Sequence, residues 1–308
     1  MVIAFFETKP EERSFFEANL KGHTLHFYDG TIQDELKSEA DYEAVSVFVH
    51  SRVTDEVLAK LPKLRYLQTR STGYDHIKCS ALYERGLVVS NVAGYGGPAV
   101  AEFAFSLLLN ATRHTHKALQ RSKEGIFEYA DLKGTELFGK RLGILGLGTI
   151  GQRMAYIGKG FGMELCAFSR SEKPIVKELG IDFTSLEEVL STSDAVMIAL
   201  PLTPATRNLI DEEKARLLKK EAILVNVARG EILKKELYTT LPNVLCLDVT
   251  ADIGCVARPN VLYTPHMAYY TREALRRIME ISLKNLKAFI AGEPLPNCLK
   301  LPCKREYR

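Results

Sequence analysis

The 308-residue chain sets 41 basic against 38 acidic residues, and a net charge of +3 scattered over that length points to no polyanionic partner and excludes no small-molecule one. A hydrophobic share of 46% and a charged share of 26% are those of an ordinary globular protein, long enough for two domains. The six cysteines (Cys79, Cys166, Cys246, Cys255, Cys298, Cys303) form no CxxC pair and no Cys/His cluster with ligand spacing, so neither metal nor disulfide framework is expected.

In chain order, the opening "MVIAFFETKPEER" has too short an apolar run for a signal peptide, and no later stretch reaches the ~20 apolar residues of a membrane span. A cytoplasmic protein with no membrane contact is the expectation. Short β-branched or aromatic runs then alternate with helical patterns: "VIAFF" before "KPEERSFFEANL", "AVSVFVH" before "TDEVLAKL", "LRYLQT" before "CSALYERG", and finally "LVVSNV". Such alternation predicts a parallel sheet covered by helices. "GPAVAEFAFSLLLNATRHTHKAL" reads as one helix, with Pro98 in its first turn and apolar residues almost all round. His114 and His116 stand two apart near its end, on different faces, and suit neither metal nor catalysis.

"EGIFEYADLKGTELFGK" lacks periodicity and reads as an irregular arm. A second strand–helix array follows, through "RLGILG", "ELCAFS", "DAVMIAL", "AILVNVA", "VLCLDV" and "VLYTP". The closing helix, from about Thr271 to Ala291, is expected to pack back on the first array. The predicted class is α/β, with two Rossmann-like doubly wound parallel-sheet domains. A flavodoxin-like domain built from 1–97 and 268–308 receives a dinucleotide-binding domain, 98–267, as an insertion. The basic residues Lys304, Arg305 and Arg308 read as a solvated tail.

Gly146-Leu147-Gly148-Thr149-Ile150-Gly151 fits G-x-G-x-x-G between a strand and a helix. In that setting Gly146 permits the turn, Gly148 lets backbone amides approach a pyrophosphate at the helix N-terminus, and Gly151 allows close helix–strand packing. An NAD site usually carries a carboxylate about 20 residues further on, to accept the ribose 2′-hydroxyl. Here Ser169, Arg170 and Ser171 occupy that strand end. A guanidinium flanked by hydroxyls suits a 2′-phosphate, so NADP(H) is the favoured cofactor and NAD(H) the possible one.

Arg229 ends the strand "ILVNV", Asp248 ends "LCLDV", and His266 follows "VLYTP". In open α/β sheets ligands lie outside the carboxyl ends of strands, so these three share one end of the second sheet. With "RSTGYDHI", "VSNVAGYGGPAVAEFAFSLLL", "GKRLGILGLGTIGQRMA", "LPLTPATRNLI", "NVARGEIL", "LDV" and "TPHMAYYT", the chain resembles the D-isomer-specific 2-hydroxyacid dehydrogenase family over nearly its whole length. The last stretch and Tyr95 look like the D-lactate dehydrogenase branch, while "SRSEKP" looks like the NADPH-using glyoxylate and hydroxypyruvate reductases.

The resemblance implies reduction of a small 2-oxo acid to the D-2-hydroxy acid. Arg229 would hold the substrate's carboxylate and oxo oxygen, and His266 would donate the proton. Backbone amides around Ser71, Thr72 and Gly73 would hold the carboxylate, with Tyr95, Tyr269 and Tyr270 walling the side-chain pocket. The cofactor would lie against Pro201, Thr206, Val227, Ala228 and Ala268 as well as the glycine turn, with Asp248 beside the nicotinamide carboxamide. A homodimer built partly from the arm near Phe127 to Leu137 is also implied.

One position departs from the family pattern. The glutamate that pairs with the histidine, five residues after the aspartate of "DV", is Ile253 here. A nearby carboxylate raises a histidine's pKa and fixes its tautomer, and isoleucine does neither. Either Asp252 takes the glutamate's place, or His266 works without it. The departure also leaves open a nucleotide-binding sensor with little catalysis, and Arg229 would equally suit a dehydrogenase of another small anion, such as formate or phosphite.

Overall fold

The computed structural model describes residues 1–299 apart from Lys78 and Ser80; the basic tail and Cys303 lie outside the described residues. The chain divides into two compact units, Met1–Tyr95 with the segment from Thr271 on, and Gly96–Tyr270.

In the first unit five parallel strands, β1 (Val2–Phe5), β2 (Thr24–Phe27), β3 (Ala44–Val47), β4 (Tyr66–Thr69) and β5 (Val88–Ser90), lie in the order β2-β1-β3-β4-β5, the flavodoxin-like order. β3 and β4 are buried on both faces, which is why "AVSV" and "YLQT" lack strict alternation. β2 escapes the sequence reading because it is an edge strand, half exposed, whose Thr24 and His26 interrupt the apolar pattern. The closing helix, Arg272–Ala291, is capped by the Thr271 hydroxyl accepting from Ala274 N and ends at Gly292 with φ +71°. It packs on the first array as expected: Phe289 stacks on Tyr66 at 4.5 Å between centroids, and Leu286 joins Ile3, Phe5 and Phe16 in one core.

In the second unit seven parallel strands take the order β12-β11-β10-β9-β6-β7-β8. They are β6 (Arg141–Leu145), β7 (Glu164–Phe168), β8 (Asp182–Phe183), β9 (Ala195–Ile198), β10 (Ile223–Asn226), β11 (Val244–Leu247) and β12 (Val261–Tyr263). Six match the sequence expectation; β8, an edge strand of two residues, is too short to leave a pattern. The chain reverses direction across the sheet between β6 and β9, which marks the ligand-binding edge of such folds.

The expected single helix after Gly96 is instead two, Gly97–Arg113 and Thr115–Lys123, broken at His114. His114 adopts φ +51°, and the Thr115 hydroxyl donates to the Asn110 side chain, so a polar residue that tolerates left-handed backbone ends the first helix where its apolar face ends. The arm that follows has no regular element and leaves Phe127, Tyr129 and Phe138 75%, 81% and 78% exposed. Among the described residues no helix is long and apolar enough to cross a membrane, and no group of three or more His, Cys, Asp or Glu could hold a metal.

Candidate active site

The glycine turn is built as its residue types require. Gly146 sits at φ +101°, and a Cβ there would fall 2.9 Å from Ala199 O at the end of β9. A Cβ on Gly151 would fall 1.8 Å from Gly146 O, so helix and turn touch through bare backbone. Around Gly148, by contrast, nothing lies within 4 Å of an added Cβ. Gly148 caps the helix Thr149–Gly160 without a side-chain acceptor, leaving Thr149 and Ile150 in its first turn. The first-turn amides and the helix dipole therefore face an approachable surface, which fits the pyrophosphate of a dinucleotide. Gly146 N donates to Phe168 O at 2.7 Å, so the end of β7, with Ser169, Arg170 and Ser171, adjoins the turn. Arg170 and Ser171 are exposed, and among the described residues Arg170 forms no ion pair.

Beyond β9, the loop from Pro201 to Thr206 is stapled by one hydroxyl: Thr206 Oγ1 donates to Pro201 O at 2.6 Å and accepts from Thr203 N at 2.8 Å. Beyond β10 come Val227, buried, then Ala228 and Arg229, half-buried. Arg229 is held by its neighbours: Asn226 Nδ2 donates to Arg229 O at 2.9 Å, Asn226 Oδ1 accepts from Ala228 N at 3.0 Å, and Arg229 Nη1 donates to Ala228 O at 2.9 Å. Gly230 must lack a side chain, since a Cβ would lie 2.4 Å from the 250–251 backbone. Its carbonyl takes a hydrogen bond from Tyr238, whose hydroxyl burial pushes well above the ordinary phenol range. Asn226 is a site residue that the sequence pattern did not single out; its signal was an amide ending a buried strand one step before a loop.

The turn after β12 is the most constrained part of the unit. His266 has φ +54°, rare for a residue with a Cβ and a cost of roughly 1–2 kcal/mol. Asp248, fully buried at the end of β11, holds that conformation from both sides. Its Oδ1 accepts from the Thr264 hydroxyl at 2.7 Å and from Met267 N at 2.9 Å, and its Oδ2 from Ala268 N at 2.9 Å. Charge-assisted bonds of this kind contribute about 1.5–3 kcal/mol each, so three of them outweigh the backbone strain. Asp248, expected beside the nicotinamide carboxamide, therefore also fixes where the histidine stands. Tyr269 meets the imidazole edge to face at 6.3 Å, and Tyr270, 60% exposed, meets Tyr269 in the same way at 6.1 Å.

Asp252, the acid nearest the position of the missing glutamate, starts a short helix after β11. Asp252 Oδ1 accepts from Gly254 N at 3.0 Å and caps the short 3-10 helix Ile253–Ala257. Thr250 locks its backbone from both sides, donating to Asp252 O and accepting from Asp252 N. A carboxylate one residue before a tight turn satisfies the nearest orphan amide, and Oδ1 of Asp252 is used in that way. Ile253, beside it, is 63% exposed.

Ser71, Thr72, Gly73 and Tyr95 belong to the other unit. There the buried Arg70 donates through Nη2 to Phe6 O and Glu7 O, tying the ends of β1 and β4 together. The three carbonyls that follow all turn inward: Ser71 O accepts from Val92 N, Thr72 O from Asn91 Nδ2, and Gly73 O from Ser71 Oγ. A trans peptide points its N–H opposite its C=O, so the amides of Thr72, Gly73 and Tyr74 face the other way. Among the described residues none of the three has a protein acceptor. Three unpaired donors on successive residues are what an anion-binding concavity requires. Tyr95 is buried, and its carbonyl accepts from Arg277 Nε at 2.8 Å.

A parallel sheet with a glycine-turn dinucleotide site, and with arginine, aspartate and histidine after three successive strands, is the arrangement of a nucleotide-linked oxidoreductase. The model of the D-isomer specific 2-hydroxyacid dehydrogenase NAD-binding domain matches residues 105–268. A glyoxylate reductase of Thermococcus kodakarensis is 35% identical over 279 residues, 85% of this chain and 84% of that one. The D-lactate dehydrogenase of Escherichia coli is 31% identical over 326 residues, 96% of this chain and 99% of that one. The crystal structure of the Aquifex aeolicus D-lactate dehydrogenase superposes with a TM-score of 0.88 at 30% identity, covering 97% of this chain and 99% of that one. The chain belongs to the D-isomer-specific 2-hydroxyacid dehydrogenase family.

Proposed function

We propose that the protein reduces a small 2-oxo acid to the D-2-hydroxy acid, with NADPH as the favoured reductant and NADH as the lesser one. The observation that carries this reading is the turn at His266, strained and held by the buried Asp248 at a strand end next to that of Arg229. Such a turn is maintained where a side chain must stand in one place. The bound nicotinamide supplies the hydride. Arg229 is assigned the carboxylate and the oxo oxygen through its planar fork, and the amides of the 71–73 loop are assigned to carboxylate binding. His266 holds the proton for the oxo oxygen as that oxygen gains charge. Tyr269 and Tyr270, and in the other unit Tyr95, are assigned to contact with the substrate's side chain. The Thermococcus relative is named for glyoxylate, and the Aquifex structure contains NAD and lactic acid, so glyoxylate and pyruvate are the first substrates to try. The test is oxidation of NADPH on addition of glyoxylate, pyruvate or hydroxypyruvate. Binding of NADPH with no turnover on any of them would contradict the reading.

The preference for NADPH rests on Arg170, exposed beside the glycine turn with no carboxylate at the strand end. Arg170→Asp is expected to weaken NADPH by about 10–100-fold, the loss of a charge-assisted pair plus a new repulsion, and to leave NADH unchanged or improved. Equal affinities for both nucleotides in the wild type, unmoved by the substitution, would remove the preference. The exposed aromatic residues Phe127, Tyr129 and Phe138 of the arm are assigned to a homodimer contact, which sedimentation at twice the chain mass would support.

A further inference from the structure

The third carbonyl of the 71–73 loop is held by a chain of side chains that reaches back to a histidine. Ser71 Oγ lies 2.6 Å from Gly73 O, Thr69 Oγ1 lies 2.7 Å from Ser71 Oγ, and His76 Nε2 lies 2.9 Å from Thr69 Oγ1. The direction of every bond follows from the last acceptor. A carbonyl only accepts, so the single proton of Ser71 goes to Gly73 O. Ser71 Oγ must then accept from Thr69, which uses the single proton of Thr69. Thr69 Oγ1 must in turn accept from His76, so Nε2 of His76 carries hydrogen. Thr69 is fully buried and Ser71 nearly so, and bonds aligned head to tail in such a place strengthen one another.

We infer that His76 and Thr69 are positioning residues for substrate binding: their chain of hydrogen bonds orients the Gly73–Tyr74 peptide, and so aims one amide of the carboxylate cradle. The inference rests on the proposed role of that loop in holding the substrate carboxylate. Neither side chain needs to touch substrate. The carbonyls of Ser71 and Thr72 are held independently, by Val92 N at 3.0 Å and Asn91 Nδ2 at 2.7 Å, so losing the chain frees one peptide of three. The neighbouring backbone is pinned elsewhere, through Val53 N on His76 O and Ile77 N on Tyr74 O. Breaking the chain should therefore loosen one donor without dismantling the turn.

The test uses the full-length protein and compares Thr69→Val, Thr69→Ser, His76→Leu and Asn91→Leu. Each is measured for KM of the 2-oxo acid, for kcat, for Kd of NADPH, and for Kd of oxamate, a non-reducible 2-oxo acid isostere, on the NADPH complex. Thr69→Val and His76→Leu are expected to raise KM and the oxamate Kd by about five- to tenfold, the worth of one aimed donor. kcat and NADPH affinity should hold, and Thr69→Ser should restore the wild-type values, a rescue that mere packing would not give. Should Thr69→Val misfold, His76→Leu carries the same test. Unchanged oxamate affinity in Thr69→Val and His76→Leu, with weakened affinity in Asn91→Leu, would overturn the chain and leave the cradle standing. Unchanged affinity in all three, or no oxamate binding by the wild type, would overturn the cradle and this inference with it. Loss of NADPH binding together with turnover, unrelieved by serine, would mark a folding role and also overturn it.

Discussion

Replacing His266 by glutamine is expected to lower kcat by roughly 10²–10⁴-fold, the usual contribution of a positioned general acid. Glutamine keeps hydrogen-bonding capacity but has no proton to give at neutral pH. NADPH affinity should stay near the wild-type value, because the glycine turn is formed by β6, β9 and the helix Thr149–Gly160 in the middle of the second sheet, away from the edge strand β12 that precedes His266. The substitution also leaves the left-handed backbone at 266 supported by Asp248. Stopped-flow turnover and nucleotide titration on the same preparation check both halves. A variant that keeps most of its turnover would remove His266 from the chemistry.

Asp248→Asn is the second substitution with a large expected effect. Both oxygens of the carboxylate accept: Oδ1 takes the Thr264 hydroxyl and Met267 N, and Oδ2 takes Ala268 N. An amide offers one acceptor and one donor, so whichever way it lies its NH₂ meets a backbone N–H. A buried mismatch of this kind costs about 1–3 kcal/mol for the lost bond alone, enough to tip a turn that already carries left-handed strain. Since a displacement of about 1 Å lowers rates on the order of 10²-fold, kcat should fall by that order and the melting temperature should drop by several degrees. The useful contrast is nucleotide affinity. If Asp248 acts by fixing the turn, NADPH binding changes little while kcat falls. If it acts by contact with the nicotinamide carboxamide, NADPH binding weakens in step with kcat.

What could be read from the chain, and what could not, follows from the range of the physics involved. The strand–glycine–helix unit at 141–160 was legible because Gly146 and Gly151 each answer a clash with atoms close in sequence or on the adjoining strand, while Gly148 leaves the helix start open. Buried central strands such as "AVMI" and "VLCL" announce themselves by composition, while β2 and β8 sit at sheet edges where polar residues are tolerated. The break at His114 was hidden because helix-forming residues continue past it, and only the left-handed backbone reveals the stop.

Around the site the same distinction holds. Arg229 and His266 stood out as lone polar residues at strand ends. The capping bond of Asp252 to Gly254 N was not legible, because choosing the acid nearest the missing glutamate says nothing of which local amides its oxygens meet. The roles of Asp248, Asn226 and the Thr69–Ser71–Gly73 chain depend on which oxygen faces which donor after folding, and no spacing in the sequence carries that information.

The most direct test of the central claim is the chirality of the product. The purified protein would be incubated with pyruvate or hydroxypyruvate and with NADPH deuterated at C4 of the nicotinamide, on the transferable position. The hydroxy acid would then be separated on a chiral phase and its deuterium located. The account predicts a D-2-hydroxy acid formed in step with NADPH oxidation, with deuterium at C2. An L product, or NADPH oxidised with no hydroxy acid formed, would contradict it.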